Sequence, residues 1–190
     1  MILQPVLMRI PRQDRLTGPQ RLERQRRFAR AALQKCAVLC NAPTDGWRQS
    51  DERIPIPNGG FHWSISHKRS WAAAVIADRP VGIDIEFVAP RKIDLFDEAA
   101  TTEEWSMVGG RSWPAFFRIW TAKEATLKAN SVGIGHLAAC RIIAADAPKR
   151  MTTCFAGREC VIEHFEHDGH IAAVTSVGDK ISWHVAEEAT

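Results

Sequence analysis

Between residues 61 and 88 the chain runs FHWSISHKRSWAAAVIADRPVGIDIEFV: three short strand-like stretches separated by the turn-forming KRS and DRP. The third stretch limits the fold most. Its side chains alternate between faces, so Val81, Ile83, Ile85 and Phe87 point one way while Gly82, Asp84 and Glu86 point the other. Two carboxylates about 7 Å apart on one face repel each other unless something neutral or positive lies between them. An isolated Asp-x-Glu usually marks the wet face of an edge strand. Here the flanking residues are apolar and the preceding strand, WAAAVIA, is apolar throughout. A buried or half-buried acidic pair is the expectation.

A helix follows in WPAFFRIWTAKEATLKAN, with Ser112 as its N-cap and an end near Asn130, before Gly133 and Gly135. Trp120, Glu124, Leu127 and Lys128 fall at i, i+4, i+7 and i+8, on one side, with Lys123 adjacent. On a solvent face, Glu124 and Lys128 would be an i,i+4 pair worth a few tenths of a kcal/mol (~0.3). Because they continue the aromatic stripe of Phe116, Phe117 and Trp120, they are expected to face the interior or a cleft. Three carboxylates with neither cysteine nor suitably spaced histidine suit a hard cation such as Mg²⁺, which favours oxygen and accompanies phosphates. A lysine beside them can offset charge developing on a phosphoryl group. His67, at the end of a neighbouring strand with Lys68 and Arg69, is placed for phosphate contacts. His164, His167 and His170 are spaced by three and cross the turn residues Asp168 and Gly169, which is not a metal-binding period on a strand.

Elsewhere, residues 2–8 read as a strand. Residues 20–39 read as a helix with Leu22, Phe28, Ala32, Cys36 and Leu39 on its apolar stripe, and 41–60 as loop. Another helix is expected from Thr101 or Thr102. Beyond it the chain looks strand-rich, in AACRIIAA, ECVIEHFEH, HIAAVTSV and KISWHVAE. One internal echo shapes the architecture: Ala73, Ala74 and Val75 recur as Ala172, Ala173 and Val174, an offset of 99, each followed by a turn and another strand. Allowing one inserted residue, Asp84 and Glu86 fall opposite His184 and Ala186. The expected fold is α+β, with two similar halves, residues 1–95 and 96–190, related by a pseudo-twofold axis with a ligand cleft between them.

Composition agrees with this. The 190 residues are 45% hydrophobic and 25% charged, as in a soluble globular protein. The longest apolar run, residues 71–77, is too short to span a bilayer, and the N-terminus lacks the pattern of a secretory signal. A cytoplasmic protein without a membrane partner is expected. The five cysteines fit no zinc spacing, and Cys36 and Cys40 read as small apolar side chains of the first helix. Net charge is +3, but residues 1–41 carry nine basic side chains against Asp14 and Glu23, which leaves the remainder at −4. A basic N-terminal region beside a carboxylate-bearing centre suggests an anionic ligand held partly by metal and partly by arginine.

FHWSISH, VGIDIE and WTAKEATLK, in this order and at these separations, resemble the 4′-phosphopantetheinyl transferases of the Sfp type. That family's pattern is an aromatic-x-x-Ser-His strand, then Val/Ile-Gly-Ile/Val-Asp-x-Glu, then Trp-x-x-Lys-Glu-x-x-x-Lys. The likeness runs from about residue 52 to residue 137, and TTEEW (101–105) is similar to the segment preceding the long helix. The resemblance implies the two-halved 4′-phosphopantetheinyl transferase fold. It also implies transfer of the phosphopantetheine arm of coenzyme A to a serine of an apo acyl or peptidyl carrier protein. By resemblance, Asp84, Glu86 and Glu124 would hold Mg²⁺ (or Mn²⁺), and Glu124 would take the serine proton. Lys128 would offset charge on the breaking phosphoanhydride. His67, with Ser66 and Lys68 beside it, would contact coenzyme A phosphate, and Arg30 its 3′-phosphate. Two departures stand out: Glu52-Arg53-Ile54 replaces the family's Gly-Lys-Pro, leaving Arg53 to meet a phosphate, and Lys68 replaces a small residue.

Two other functions fit the residues alone. A metal-dependent nuclease would need a long basic groove lined by stacking aromatics, so nucleic acid is not the expected partner. A coenzyme A or carrier-binding module without turnover would not need all three acids and Lys128. Two fused halves would let a monomer suffice.

Overall fold

The computed structural model describes residues 2–13 and 15–187; Asp14, counted above among the N-terminal acids, lies outside them. Two sheets stack face to face. In the first, the order is β11 (His184–Ala186), β2 (Val6–Arg9), β4 (Trp71–Ala77) and β3 (His62–Lys68). In the second it is β5 (Ile83–Phe87), β9 (His170–Ser176), β8 (Arg158–His167), β7 (Arg150–Phe155) and β6 (Arg141–Ala147). Helix α1 (Gly18–Leu39) covers the outer face of the first sheet. Helix α4 (Trp113–Ala129) covers that of the second, flanked by α2 (Leu95–Ala99) and α3 (Thr102–Met107). The fold is mixed α+β. A small parallel pair, β1 (Ile2–Leu3) with β10 (Lys180–Ile181), closes one end.

Strand alternation accounts for the layers. In β4, Ala72, Ala74 and Ile76 pack under α1, whereas Trp71, Ala73, Val75 and Ala77 face the other sheet. In β9, Ile171 and Ala173 pack under α4, and Ala172 and Val174 face inward. Both strands are buried along their whole length. Small side chains let a helix on one side and a sheet on the other approach closely. The residues of the internal echo occupy matching places: Ala73 and Ala172, like Val75 and Val174, lie in the shared middle layer, while Ala74 and Ala173 lie under the two helices. The connections also interlock. After β4 the chain crosses to the second sheet as β5, antiparallel to β9; after β9 it returns to the first as β11, parallel to β2.

Several expectations are refined. The N-terminal strand is broken at Gln4–Pro5, where proline cannot donate, and the 180–187 segment is likewise two short strands. Helix α1 begins at Gly18, capped by Thr17 in a capping box with Gln20. Its apolar stripe is Phe28, Ala29, Ala32, Leu33, Cys36 and Ala37; Leu22 is 39% exposed because the first turns overhang the sheet, and Leu39 is only half-buried. Ser112 caps α4 through the Ala115 amide, and the helix ends at Asn130 as expected. Helix α2 and strand β7 were not expected. The three histidines take separate contacts: His164 Nε2 lies 3.0 Å from the Arg118 carbonyl, His167 packs edge-on to Trp71, and His170 Nδ1 lies 2.8 Å from the Asp168 carbonyl.

One buried ion pair ties α3, α4 and β6 together. Lys123 Nζ stands 2.9 Å from Glu104 Oε1, with each side chain only 2% exposed. Oε1 also accepts from the Ile142 amide at 2.7 Å, and Oε2 accepts from the Thr101 amide at 2.8 Å. Burial pushes the Glu104 carboxyl up, but Lys123 and these amides outweigh it and hold it below its usual range.

Two outcomes are expected. Lys123→Met leaves the buried Glu104 carboxylate with only the more distant Arg141, Nε at 3.7 Å, as a cation, costing about 3 kcal/mol in urea unfolding, whereas Lys123→Met combined with Glu104→Gln recovers part of the loss. His164, buried and neutral, is held at about 4 against an ordinary 6.5, chiefly by burial. The unfolded chain therefore takes up the proton first, and stability present above pH 6.5 is lost as pH falls toward 4, by up to about 3 kcal/mol. His164→Gln, which can still donate to Arg118 but cannot charge, should flatten that slope in melts between pH 4 and 7.

Candidate active site

The site forms where β5 lies against α4. A Cβ added at Gly82, the residue just before β5, would come 1.9 Å from the Ala125 carbonyl oxygen and 2.8 Å from the Ala129 nitrogen, so helix backbone rests directly on the backbone entering the strand. Glycine is the residue such an approach requires. Asp84 and Glu86, on the same strand face as Gly82, are thereby brought beside Glu124 and Lys128. Val81, Ile83 and Ile85, on the opposite face, fill the core between the sheets.

Strands β3 and β5 are edge strands of different sheets, and side chains join them. Ser64 Oγ accepts from the Ile83 amide at 3.2 Å, Ser66 Oγ donates to Asp84 Oδ1 at 2.8 Å, and Lys68 Nζ donates to Glu86 Oε1 at 2.9 Å. These are alternate residues of β3, all on the face turned toward β5. Lys128 Nζ completes the group, donating to Asp84 Oδ1 at 2.7 Å and to the Ile83 carbonyl at 3.1 Å. Arg91 Nη2 stands 3.9 Å from Glu86 Oε2.

The electrostatics reflect crowded acids in a partly dry place. Glu124 is pushed up to about 7, first by burial and then by the charges of Asp84 and Glu86, against the pull of Lys128. Glu86 is raised by burial and by Asp84, with Lys68 opposing. His67 is lowered by burial and by Lys128 and Arg26, so the ring is neutral and surrounded by cations. Asp84 Oδ2 and Glu86 Oε2 are buried without a hydrogen-bond partner among the described residues. Two orphaned oxygens beside a third carboxylate form an all-oxygen donor set that fits a hard cation. No three His, Cys, Asp or Glu side chains among the described residues already stand at metal-binding spacing. Instead, the two lysine ammoniums hold Asp84 and Glu86.

Two clefts meet at Lys128. One, of about 480 Å³, is lined by Arg26, Arg30, Arg53, Ser66 and His67. The other, of about 580 Å³, is lined by Arg53, Ser64, Glu124 and His136. Arg30 is fixed there by the Trp47 carbonyl and Gln49 Oε1, both at 3.0 Å, and lies over the Trp63 ring. Gln49 also donates to the Arg53 carbonyl at 3.0 Å, where Arg53 adopts a left-handed φ of 64°. Of the candidate residues, Arg30, Arg53, Ser66, His67, Glu124 and Lys128 line these clefts, Asp84 is bonded to Ser66 and Lys128, and Glu86 to Lys68 on the same two strands; Lys123 is turned away onto Glu104. Sequence reading missed Gln49, Arg91 and His136. Arg26, one helical turn before Arg30, could have been found by its i,i+4 spacing; a glutamine and a histidine in loops carry no such signal. Gly82→Ala forces the helix off the strand, and a melting temperature lower by about 5–10 °C is expected, at the upper end of the cost of overpacking.

Comparison with known proteins agrees with this geometry. Residues 80–175, which contain β5, α4 and most of the second sheet, match the model of the 4′-phosphopantetheinyl transferase superfamily. The chain is 32% identical over 80 residues to the 4′-phosphopantetheinyl transferase psf-1 of Bacillus pumilus, covering 40% of this chain and 34% of that protein. It is 28% identical over 102 residues to the transferase gsp of Aneurinibacillus migulanus, covering 50% and 43%. To the transferase HetI of a Nostoc species it is 33% identical over 130 residues, covering 63% and 53%. The matches thus span about a third to a half of these relatives' lengths. With the acidic strand, the Lys-Glu-x-x-x-Lys helix and the family match falling on one structural unit, the chain belongs to the 4′-phosphopantetheinyl transferase superfamily.

Proposed function

We propose that this protein transfers the 4′-phosphopantetheine group of coenzyme A to a serine hydroxyl of an apo acyl or peptidyl carrier protein. The observation that carries the reading is the gathering of Asp84, Glu86 and Glu124 about Lys128, which itself lines a cleft with Arg30, Arg53 and His67. In this reading Arg30 and Arg53 receive the phosphate groups of coenzyme A, with His67 and Ser66 beside the diphosphate. Arg30 is pre-positioned by its two hydrogen bonds, so little ordering is left to binding. Asp84, Glu86 and Glu124 would hold Mg²⁺ or Mn²⁺, which when bound neutralises diphosphate charge.

The carrier serine oxygen attacks the phosphorus next to pantetheine, the anhydride bond breaks, and adenosine 3′,5′-bisphosphate leaves with the bonding pair. Glu124 accepts the serine proton; its raised affinity suits a base acting near neutral pH. Lys128, already hydrogen-bonded at the site, shifts toward the bridging oxygen as negative charge builds there. The same reading treats residues 1–95 and 96–190 as pseudo-twofold halves forming a cytoplasmic monomer. Supporting it are the matching places of Ala73 and Ala172, and the absence among the described residues of any helix long and apolar enough to cross a membrane. A nuclease would need exposed aromatics along its groove, but Phe116 and Phe117 are each only 2% exposed.

The test is intact-mass spectrometry of an apo acyl carrier protein and an apo peptidyl carrier domain, each incubated with coenzyme A, Mg²⁺ and this protein. A gain of one phosphopantetheine is expected, with the rate lowered at least about 100-fold by Glu124→Ala. No gain on either carrier together with no coenzyme A binding would overturn the reading.

A further inference from the structure

Glu86 already has a cation. Its Oε1 accepts from Lys68 at 2.9 Å, and the pair is partly shielded, with the carboxylate side chain 15% exposed and the lysine 37%. Lys128 is on Asp84, and Arg91 approaches the other oxygen of Glu86. Three positive charges therefore stand against Asp84 and Glu86 before any ligand arrives. A dication entering this group meets two acids already paired with cations, and it must compete with Lys68 for Glu86.

Building on the reading of Asp84, Glu86 and Glu124 as a cation site, we propose that Lys68 acts as a tethered competitor of the metal. It keeps the site's affinity for free divalent cation low and makes cation binding conditional on a diphosphate ligand. The geometry supplies the mechanism. Lys68 is the last residue of β3, just before the turn at Arg69, which has φ of 51°, so its ammonium hangs from a strand end and can swing. A diphosphate held by neighbouring Ser66, His67 and Arg53 offers the ammonium a second anionic partner. When Lys68 turns to it, Glu86 is released and its oxygens join the orphaned Asp84 Oδ2 in facing the cation. Diphosphate and metal then promote each other's binding, and the coupling is reciprocal. The protein would recruit metal and coenzyme A together and hold little metal alone.

The experiment is Mn²⁺ binding followed by electron paramagnetic resonance, with MnCl₂ alone and with MnCl₂ plus coenzyme A. The proteins compared are wild type, Lys68→Gln, Lys68→Arg and Arg69→Gln, all checked by thermal melting. Arg69→Gln removes the same charge one residue away, from a guanidinium that lies over Phe87. Without coenzyme A, Lys68→Gln should bind Mn²⁺ at least about tenfold more tightly than wild type, as expected for losing one positive charge in contact with the site. Lys68→Arg should match wild type, and Arg69→Gln should change affinity by no more than about threefold, because its guanidinium lies over Phe87, on the face of β5 opposite Glu86, where solvent screens it. Coenzyme A should tighten Mn²⁺ binding more in wild type than in Lys68→Gln. Lys68→Ser, which also removes the ammonium, should follow Lys68→Gln if the latter folds poorly. Equal affinities for wild type and Lys68→Gln, or an equal gain in Arg69→Gln, overturn the proposal while leaving the transferase reading in place. No Mn²⁺ binding by any form even with coenzyme A overturns the cation site as well. The carrier-mass experiment, which does not depend on these variants, reports on the transferase reading separately.

Discussion

The placement of the site depends on a pair that takes no part in it. Lys123 and Glu104, both nearly inaccessible, fix the rotation of α4 about its own axis. Adjacent helix residues point about 100° apart, so once Lys123 is committed to α3 and β6, Glu124 is committed toward β5. Gly82 then sets the depth, because helix backbone rests on the backbone entering β5. A buried ion pair is a poor source of stability compared with apolar packing. Here its carboxylate also accepts from two amides, on α3's cap and on β6, and no hydrocarbon could replace those bonds. The arrangement trades stability for a defined orientation.

Charge at the centre is balanced in a similar way. The face of β3 turned toward β5 carries two hydroxyls and an ammonium, each matched to one group on the opposite strand. Two strand edges are joined through these polar side chains, which leaves the carboxylates of Asp84 and Glu86 held between β3 and α4. The neighbouring cleft has the opposite sign. His67 is lowered first by burial and then by the nearby charges of Lys128 and Arg26, so an incoming anion meets a cleft lined by cationic side chains.

The central part of the fold was legible because its signals are local. Strand alternation separated Asp84 and Glu86 from Ile83 and Ile85, and a serine before an apolar run marked the start of α4. The failures have a common cause. Leu22 falls on the apolar stripe by spacing yet is exposed, because only the tertiary arrangement determines where α1 leaves its sheet. β7, with the threonines of RMTTCF, has too weak an apolar alternation to stand out. TTEEW is similar to a family segment, but nothing in it shows that Glu104 meets Lys123, since pairing across 19 positions is settled by packing. Its place beside His67 marks Lys68 as a phosphate contact, whereas its hydrogen bond to Glu86 depends on two sheets meeting edge to edge.

The interlocked connections have a consequence for how the molecule could be divided. In the segment between β5 and α2, residues 90–94 are all exposed. A break there would leave an N-terminal piece whose last strand belongs in the other piece's sheet, and a C-terminal piece whose last strand belongs in the first. Each fragment would carry the edge strand that the other lacks. The acidic strand would travel on one fragment and the Lys-Glu-x-x-x-Lys helix on the other. Reassembly of the two, by mutual strand donation, would be the condition for recovering the site, making this protein a natural scaffold for fragment complementation.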